Sequence, residues 1–111
     1  MKVVIAGGRT FVPMVRHAER LDSLGITEVV SGCAPGADRF GEDYAERRGL
    51  RLTRFPANWD KYKAAAGPIR NRVMAEYADA VVLFPGGAGT ASMKAEAHRA
   101  GIKVYDWRED G

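Results

Sequence analysis

The sequence predicts an α/β fold in three layers, with helices on both faces of a five-stranded parallel sheet in the order 3-2-1-4-5. Three observations lead there. Short apolar runs alternate along the chain with stretches of helical periodicity, and glycine marks most of the changes. Strands that alternate with helices call for a parallel sheet covered on both sides. Right-handed crossovers then favour 3-2-1-4-5, an order whose direction of winding reverses between the first and fourth strands.

The elements follow in order. Residues 2–6 (Lys-Val-Val-Ile-Ala) form a β-branched run, as suits a strand buried on both faces. Phe11, Met14, Val15, Ala18, Leu21 and Leu24 recur at helical spacing, so a first helix is expected over 11–24, stopped by Gly25. A second strand over 27–30 leads to a second helix over 38–48, closed by Gly49. Residues 50–55 alternate apolar and basic side chains, as in a strand near the sheet edge. Residues 56–68 are the least regular part, with Trp59 and Tyr62. Pro68 then opens a third helix over 69–77. The fourth strand is the apolar run 80–84, followed by a helix over 91–100 and a last strand over 102–107. The polar tail 108–111 is expected to fray.

Ligands of open α/β sheets bind where the winding reverses, beyond the carboxyl ends of the strands. The loops at that point are Gly7-Gly8-Arg9 and Pro85-Gly86-Gly87-Ala88-Gly89-Thr90. Glycines admit an anion close to backbone N–H groups, and a helix N-terminus adds partial positive charge. Thr90 stands where an N-cap hydroxyl would complete the loop. A ligand-free tight turn would read the same locally. The spaced glycines of a dinucleotide fingerprint are missing, as is a carboxylate at the end of the second strand. No Gly-Lys-Ser/Thr of a P-loop occurs either, which argues against a dehydrogenase and an ATPase.

Four motifs together, Gly7-Gly8-Arg9, Ser31-Gly32-Cys33-Ala34-Pro35-Gly36-Ala37-Asp38, Ala66-Gly67-Pro68-Ile69-Arg70-Asn71 and Pro85 to Thr90, resemble the SLOG superfamily in its YspA-like, cpYpsA-related branch. More distant members of that superfamily are the Lonely Guy phosphoribohydrolases and the DNA-processing protein DprA. The resemblance implies a Rossmann-like sheet and a bound nucleotide or nucleotide-derived ligand. It implies no particular reaction. In the phosphoribohydrolases glutamates follow the Pro-Gly-Gly-x-Gly-Thr motif closely and an arginine lies on the preceding helix. Arg70 or Arg72 matches the arginine, whereas Thr90 is followed here by Ala91, Ser92 and Met93. Hydrolysis of an N-glycosidic bond is the alternative reading; it needs a carboxylate pointed at the ribose, from Asp38, Glu42 or Glu96, and the nearest on that helix, Glu96, is more than a turn on.

The candidate ligand and phosphate contacts are therefore Gly7, Gly8, Arg9, Gly32, Gly36, Asp38, Arg70, Asn71, Gly86, Gly87, Gly89 and Thr90. Arg9 could pair with a phosphate or with a surface carboxylate. Asp38 reads most simply as the N-cap of the second helix, with a ribose contact as the alternative. Arg70 and Asn71 open a helix and can face the crevice or solvent. Trp59 could stack a base or cap an irregular loop. Cys33 reads as a small apolar filler, His17, His98 and Lys94 as solvated. No catalytic residue and no metal ligand is assigned, and no cofactor is required.

Composition bounds the rest. The 111 residues suit one domain, and a net charge of +3 is mild for a nucleic-acid partner. Single-stranded nucleic-acid binding stays a third reading, without a basic stripe interleaved with aromatics to support it. One cysteine excludes an internal disulfide. Without a signal-peptide pattern or an apolar run of about 20 residues, a cytoplasmic protein is expected, with no membrane partner. Met14, Met74, Met93, Trp59 and Trp107 exceed what a minimal core requires, and a homodimer is expected from them.

Overall fold

The computed structural model describes residues 1–110. Strands β1 (Lys2–Ala6), β2 (Glu28–Ser31), β3 (Arg51–Arg54), β4 (Ala80–Leu83) and β5 (Lys103–Asp106) form one sheet in the order β3-β2-β1-β4-β5. Every pairing is parallel. The α/β, Rossmann-like reading and its strand order are therefore correct. The register at the centre sets Val3 beside both Val29 and Ala80, so β1 is hydrogen-bonded on both edges.

Five α-helices lie among the described residues: α1 (Val15–Asp22), α2 (Ala37–Arg48), α3 (Trp59–Tyr62), α4 (Ala66–Tyr77) and α5 (Ala88–Ala100). Because successive side chains of a strand point to opposite faces, the core divides in two. Val3, Ile5, Val29 and Val82 meet Leu21, Tyr44 and Ala45 on the α1/α2 side. Val4, Val30, Val81 and Leu83 meet Met74, Ala75, Met93 and Ala97 on the α4/α5 side. Gly41 allows α2 to lie directly on β1, since a Cβ there would come within 2.9 Å of Ile5. Among the described residues no helix is long and apolar enough to cross a membrane.

Several local readings are corrected. The first helix begins at Val15, four residues later than its apolar spacing suggests. Pro13 supplies the reason: it fits only the first turn of a helix and pushes the residue before it into extended backbone. Phe11 instead turns inward and stacks on Phe84 at 4.7 Å. His17 is buried rather than solvated, at 3% exposure, among Phe11, Phe40 and Phe84. Its Nδ1 accepts from the Met14 N–H at 2.8 Å, while Nε2 has no hydrogen-bond partner. Burial holds the His17 pKa below its ordinary value, and Arg16 adds to this.

The stretch 56–68 is more ordered than its composition suggests, because α3 and a 3₁₀ turn over Lys63–Ala65 run into α4, which starts at Ala66. Helix α5 starts at Ala88, so its N-cap is Gly87 and not Thr90. Gly36, in the left-handed region at φ +79, caps α2 in place of Asp38. Cys33 is exposed and no filler, and its φ of +68 marks a tight bend after β2. Lys94 pairs with Asp106 at 3.2 Å instead of standing free in solvent. Residues 108–110 make a 3₁₀ turn in place of a frayed tail, and Arg108 holds Asp106 at 2.7 Å. Gly111 lies outside the described residues.

Candidate functional site

Beyond the carboxyl ends of β1 and β4 the two glycine loops meet. The Gly8 N–H donates to the Pro85 carbonyl at 2.8 Å, and Phe84 N–H to Ala6 at 2.8 Å continues the ladder beneath them. This close approach depends on glycine. A Cβ on Gly86 would lie 2.1 Å from Thr90 Oγ1 and 2.6 Å from the Gly8 nitrogen, and one on Gly7 would lie 2.7 Å from Ala37 Cβ. Above them opens a crevice of about 980 Å³.

Gly7, Gly8, Arg9, Asp38, Arg70, Asn71, Gly86, Gly87, Gly89 and Thr90 all line it. Gly32 and Gly36 stand behind its wall. The Gly32 carbonyl accepts from Arg70 Nη1. Gly36 packs beneath the first loop, where a Cβ would collide with the Gly8 carbonyl at 2.1 Å. Their neighbours are protein groups.

The crevice floor carries the start of α5. Its first N–H groups, at Ala88, Gly89 and Thr90, have no intrahelical acceptor. Gly87 and Gly89 are exposed, and apart from adjacent chain and the helix's own backbone nothing lies within 4 Å of where a Cβ would sit, so the space over this backbone is open. Thr90 is buried at 3% exposure and packs its hydroxyl under Gly86. Arg9 is exposed at the rim and has no hydrogen bond or ion pair among the described residues.

Arg70 is differently placed. Its Nη1 goes to Gly32 and its Nε to Asn71 Oδ1 at 2.9 Å, so two of its donors serve the protein. Asn71, 5% exposed, donates onward to Ser92 Oγ at 3.1 Å and the Gly89 carbonyl at 3.4 Å. Asp38, 8% exposed, accepts from the Ala34 N–H at 3.2 Å. Its burial pushes its pKa up to about 6, against the pull of that N–H and of Arg70. Of the carboxylates weighed from sequence only Asp38 lines the crevice. Glu42 accepts from Ser31 at 2.7 Å and pairs with Arg54 at 3.3 Å, and Glu96 pairs with Arg99 at 2.9 Å.

Sequence reasoning missed the apolar lining at Phe11, Val12 and Met14, because a helix was expected there; Pro13 was the available signal. It also missed Ser92 as a lining group. Trp59 also lines the crevice and is 52% exposed. Of the large residues that suggested a dimer, Met74, Met93 and Trp107 belong to the core, while Met14 and Trp59 face the crevice.

Residues 1–62 match the model of a family described as the YspA, cpYpsA-related SLOG family. The match holds the Gly7-Gly8-Arg9 and Ser31-to-Asp38 motifs. No curated protein sequence matches the chain. Among solved structures it is similar to the X-ray structure of DNA processing protein A (DprA) from Streptococcus pneumoniae, with a TM-score of 0.72 at 18% identity. That likeness covers 95% of this chain and 49% of the other, so the chain spans about half the length of that protein.

Proposed function

Because the chain belongs to the YspA, cpYpsA-related SLOG family, we propose that it binds a nucleotide or nucleotide-derived phosphate ligand in the crevice between its two glycine loops, as a sensor or nucleotide-processing module. One observation carries the reading. The Gly8–Pro85 hydrogen bond clamps the loops together, yet the backbone over Gly87 and Gly89 stays uncovered at the start of a 13-residue helix. Uncovered N–H groups at a helix N-terminus suit phosphate oxygens. Arg9 supplies a guanidinium with no competing partner among the described residues, and such a group pairs with phosphate through two parallel bonds.

A thermal-shift panel tests it. AMP and related phosphates raise the melting temperature by several degrees, since mass action stabilises by about 2.7 kcal/mol at ~100 times Kd. Gly87→Val, which crowds only the uncovered space, removes the shift. A flat panel across nucleotides, sugar phosphates and inorganic phosphate overturns the proposal. The likeness to a DNA processing protein favours adding a single-stranded oligonucleotide to the same panel.

A second reading, hydrolysis of an N-glycosidic bond, is favoured by Asp38 alone. It lines the crevice with a pKa raised to about 6, in the range useful to a general acid or base. Self-association is supported by the exposed Ile69 and Val73, one turn apart on α4, and light scattering at tens of micromolar reads it directly.

A further inference from the structure

The crevice is lined by two chemically different sets of residues, and the glycine loops account for only one. At 980 Å³ it lies near the top of the roughly 300–1,000 Å³ typical of small-molecule sites, far more room than a phosphate group needs. The segment carrying α3 and the 3₁₀ turn lines it through Trp59, Ala64, Gly67 and Pro68, all without a polar side-chain group apart from the indole N–H. Trp59 is 52% exposed although it is the largest apolar side chain on this surface. Its backbone is nevertheless fixed, and its ring approaches α4. Asn58 caps its helix by accepting from the Lys61 N–H at 3.1 Å, and the indole edge lies 3.5 Å from where a Gly67 Cβ would stand. A half-exposed ring lining the same crevice as the glycine loops is a stacking surface for a flat partner.

We propose that Trp59 stacks the base of the bound nucleotide, and that the site selects for a base by its flat face and not by its hydrogen-bonding edge. The inference rests on the nucleotide reading above and extends it to base selectivity. Every base has a π-face, so stacking tolerates all of them and favours the larger purines. Reading an edge requires fixed donors and acceptors beside it, and the other lining residues of the segment that carries Trp59 (Ala64, Gly67 and Pro68) have no polar side-chain group. Next along α4, Arg70 spends two of its donors on Gly32 and Asn71, and the Asn71 amide is given to Gly89 and Ser92.

Tryptophan emission reports on it, because Trp107 is buried at 7% exposure and leaves Trp59 as the accessible indole. Titrate the protein with AMP, GMP, CMP, UMP, ribose 5-phosphate and inorganic phosphate, and follow binding by calorimetry alongside. AMP and GMP bind within about threefold of each other, the pyrimidine nucleotides more weakly, and ribose 5-phosphate without quenching. Trp59→Ala weakens AMP by about 5- to 150-fold, as expected for loss of one stacked base, and leaves ribose 5-phosphate unchanged. Trp59→Phe restores part of the loss, and unchanged melting temperatures for both variants show that the fold is intact. If AMP binds Trp59→Ala as it binds wild type, the stacking role is overturned while the phosphate site stands. A tenfold preference between AMP and GMP overturns edge-blind selection. If no phosphate compound binds at all, the nucleotide reading itself falls and this inference with it.

Discussion

The Asn71 side-chain amide donates to the Ser92 hydroxyl at 3.1 Å, joining α4 to the first turns of α5 across the back of the crevice. The same nitrogen reaches the Gly89 carbonyl, and its Oδ1 receives Arg70 Nε. One buried amide thus sets where the helix N-terminus lies relative to the rest of the site. Replacing it with alanine leaves the Ser92 hydroxyl and Arg70 Nε without this partner. Such a loss costs about 1–3 kcal/mol, and urea denaturation of Asn71→Ala reads it as a lower midpoint at unchanged slope. AMP binding weakens as well, because the uncovered N–H groups are no longer held in place.

Gly86 and Gly89 separate packing from binding. A single methyl at position 86 meets Thr90 Oγ1 at 2.1 Å, so Gly86→Ala is overpacked and loses about 1–3 kcal/mol. A methyl at position 89 meets no protein atom and sits within a helix, where alanine gains up to about 1 kcal/mol over glycine. Gly89→Ala therefore melts at or above wild type while its thermal response to AMP shrinks. A Gly89→Ala protein that responds to AMP as wild type does contradicts the placement of phosphate over this backbone.

Asp38 works against folding at neutral pH. Its carboxyl is raised to about 6 by burial, so the folded protein holds the proton more tightly than the unfolded chain. Its contribution is fully present below the unfolded value near 4 and is lost as the pH rises to about 6. Asp38→Asn keeps an acceptor for the Ala34 N–H and removes the buried charge. At pH 7 it stabilises by an amount on the order of 2–3 kcal/mol, less whatever Arg70 loses with its neighbour.

His17 acts in the opposite sense. Its folded pKa is lowered, so the unfolded chain takes up the proton first, and stability falls as the pH drops below about 6.5. In wild type the rising Asp38 contribution offsets part of this loss between pH 6 and 4. Melting curves from pH 8 to 4 show a steeper acid-side decline in Asp38→Asn than in wild type. Parallel profiles rule out this opposition between His17 and Asp38.

Base release from AMP stays near background. Ser92 and Met93 occupy the positions where the resembled phosphoribohydrolases carry glutamates, and neither can act as a base. Absence of one positioned acid–base group typically costs about 10²–10⁴-fold in rate. Chromatography of AMP incubated with the protein quantifies free adenine. Turnover that Asp38→Asn abolishes would transfer the assignment to the hydrolase reading, with Asp38 as its carboxyl.

The sheet order, both glycine loops and their meeting point were legible in the chain because they depend on short-range chemistry. Val3 to Ala6 and Ala80 to Leu83 are apolar enough to be buried on both faces, and topology alone brings the loops after them together. Tertiary structure decided what each residue at that point does. Gly86 and Gly87 are adjacent and chemically identical, yet one is pinned under Thr90 and the other faces open space. Arg9 and Arg70 carry the same charge, but a carbonyl 38 residues away in sequence occupies only the second. His17 and Asp38 sit among charged neighbours in sequence and are buried by Phe11, Phe84 and the α4 network in space. Periodicity and turn chemistry act over a few residues and can be read from them. Burial, pKa and the availability of a donor are set by groups distant in sequence, which only the folded chain brings within reach.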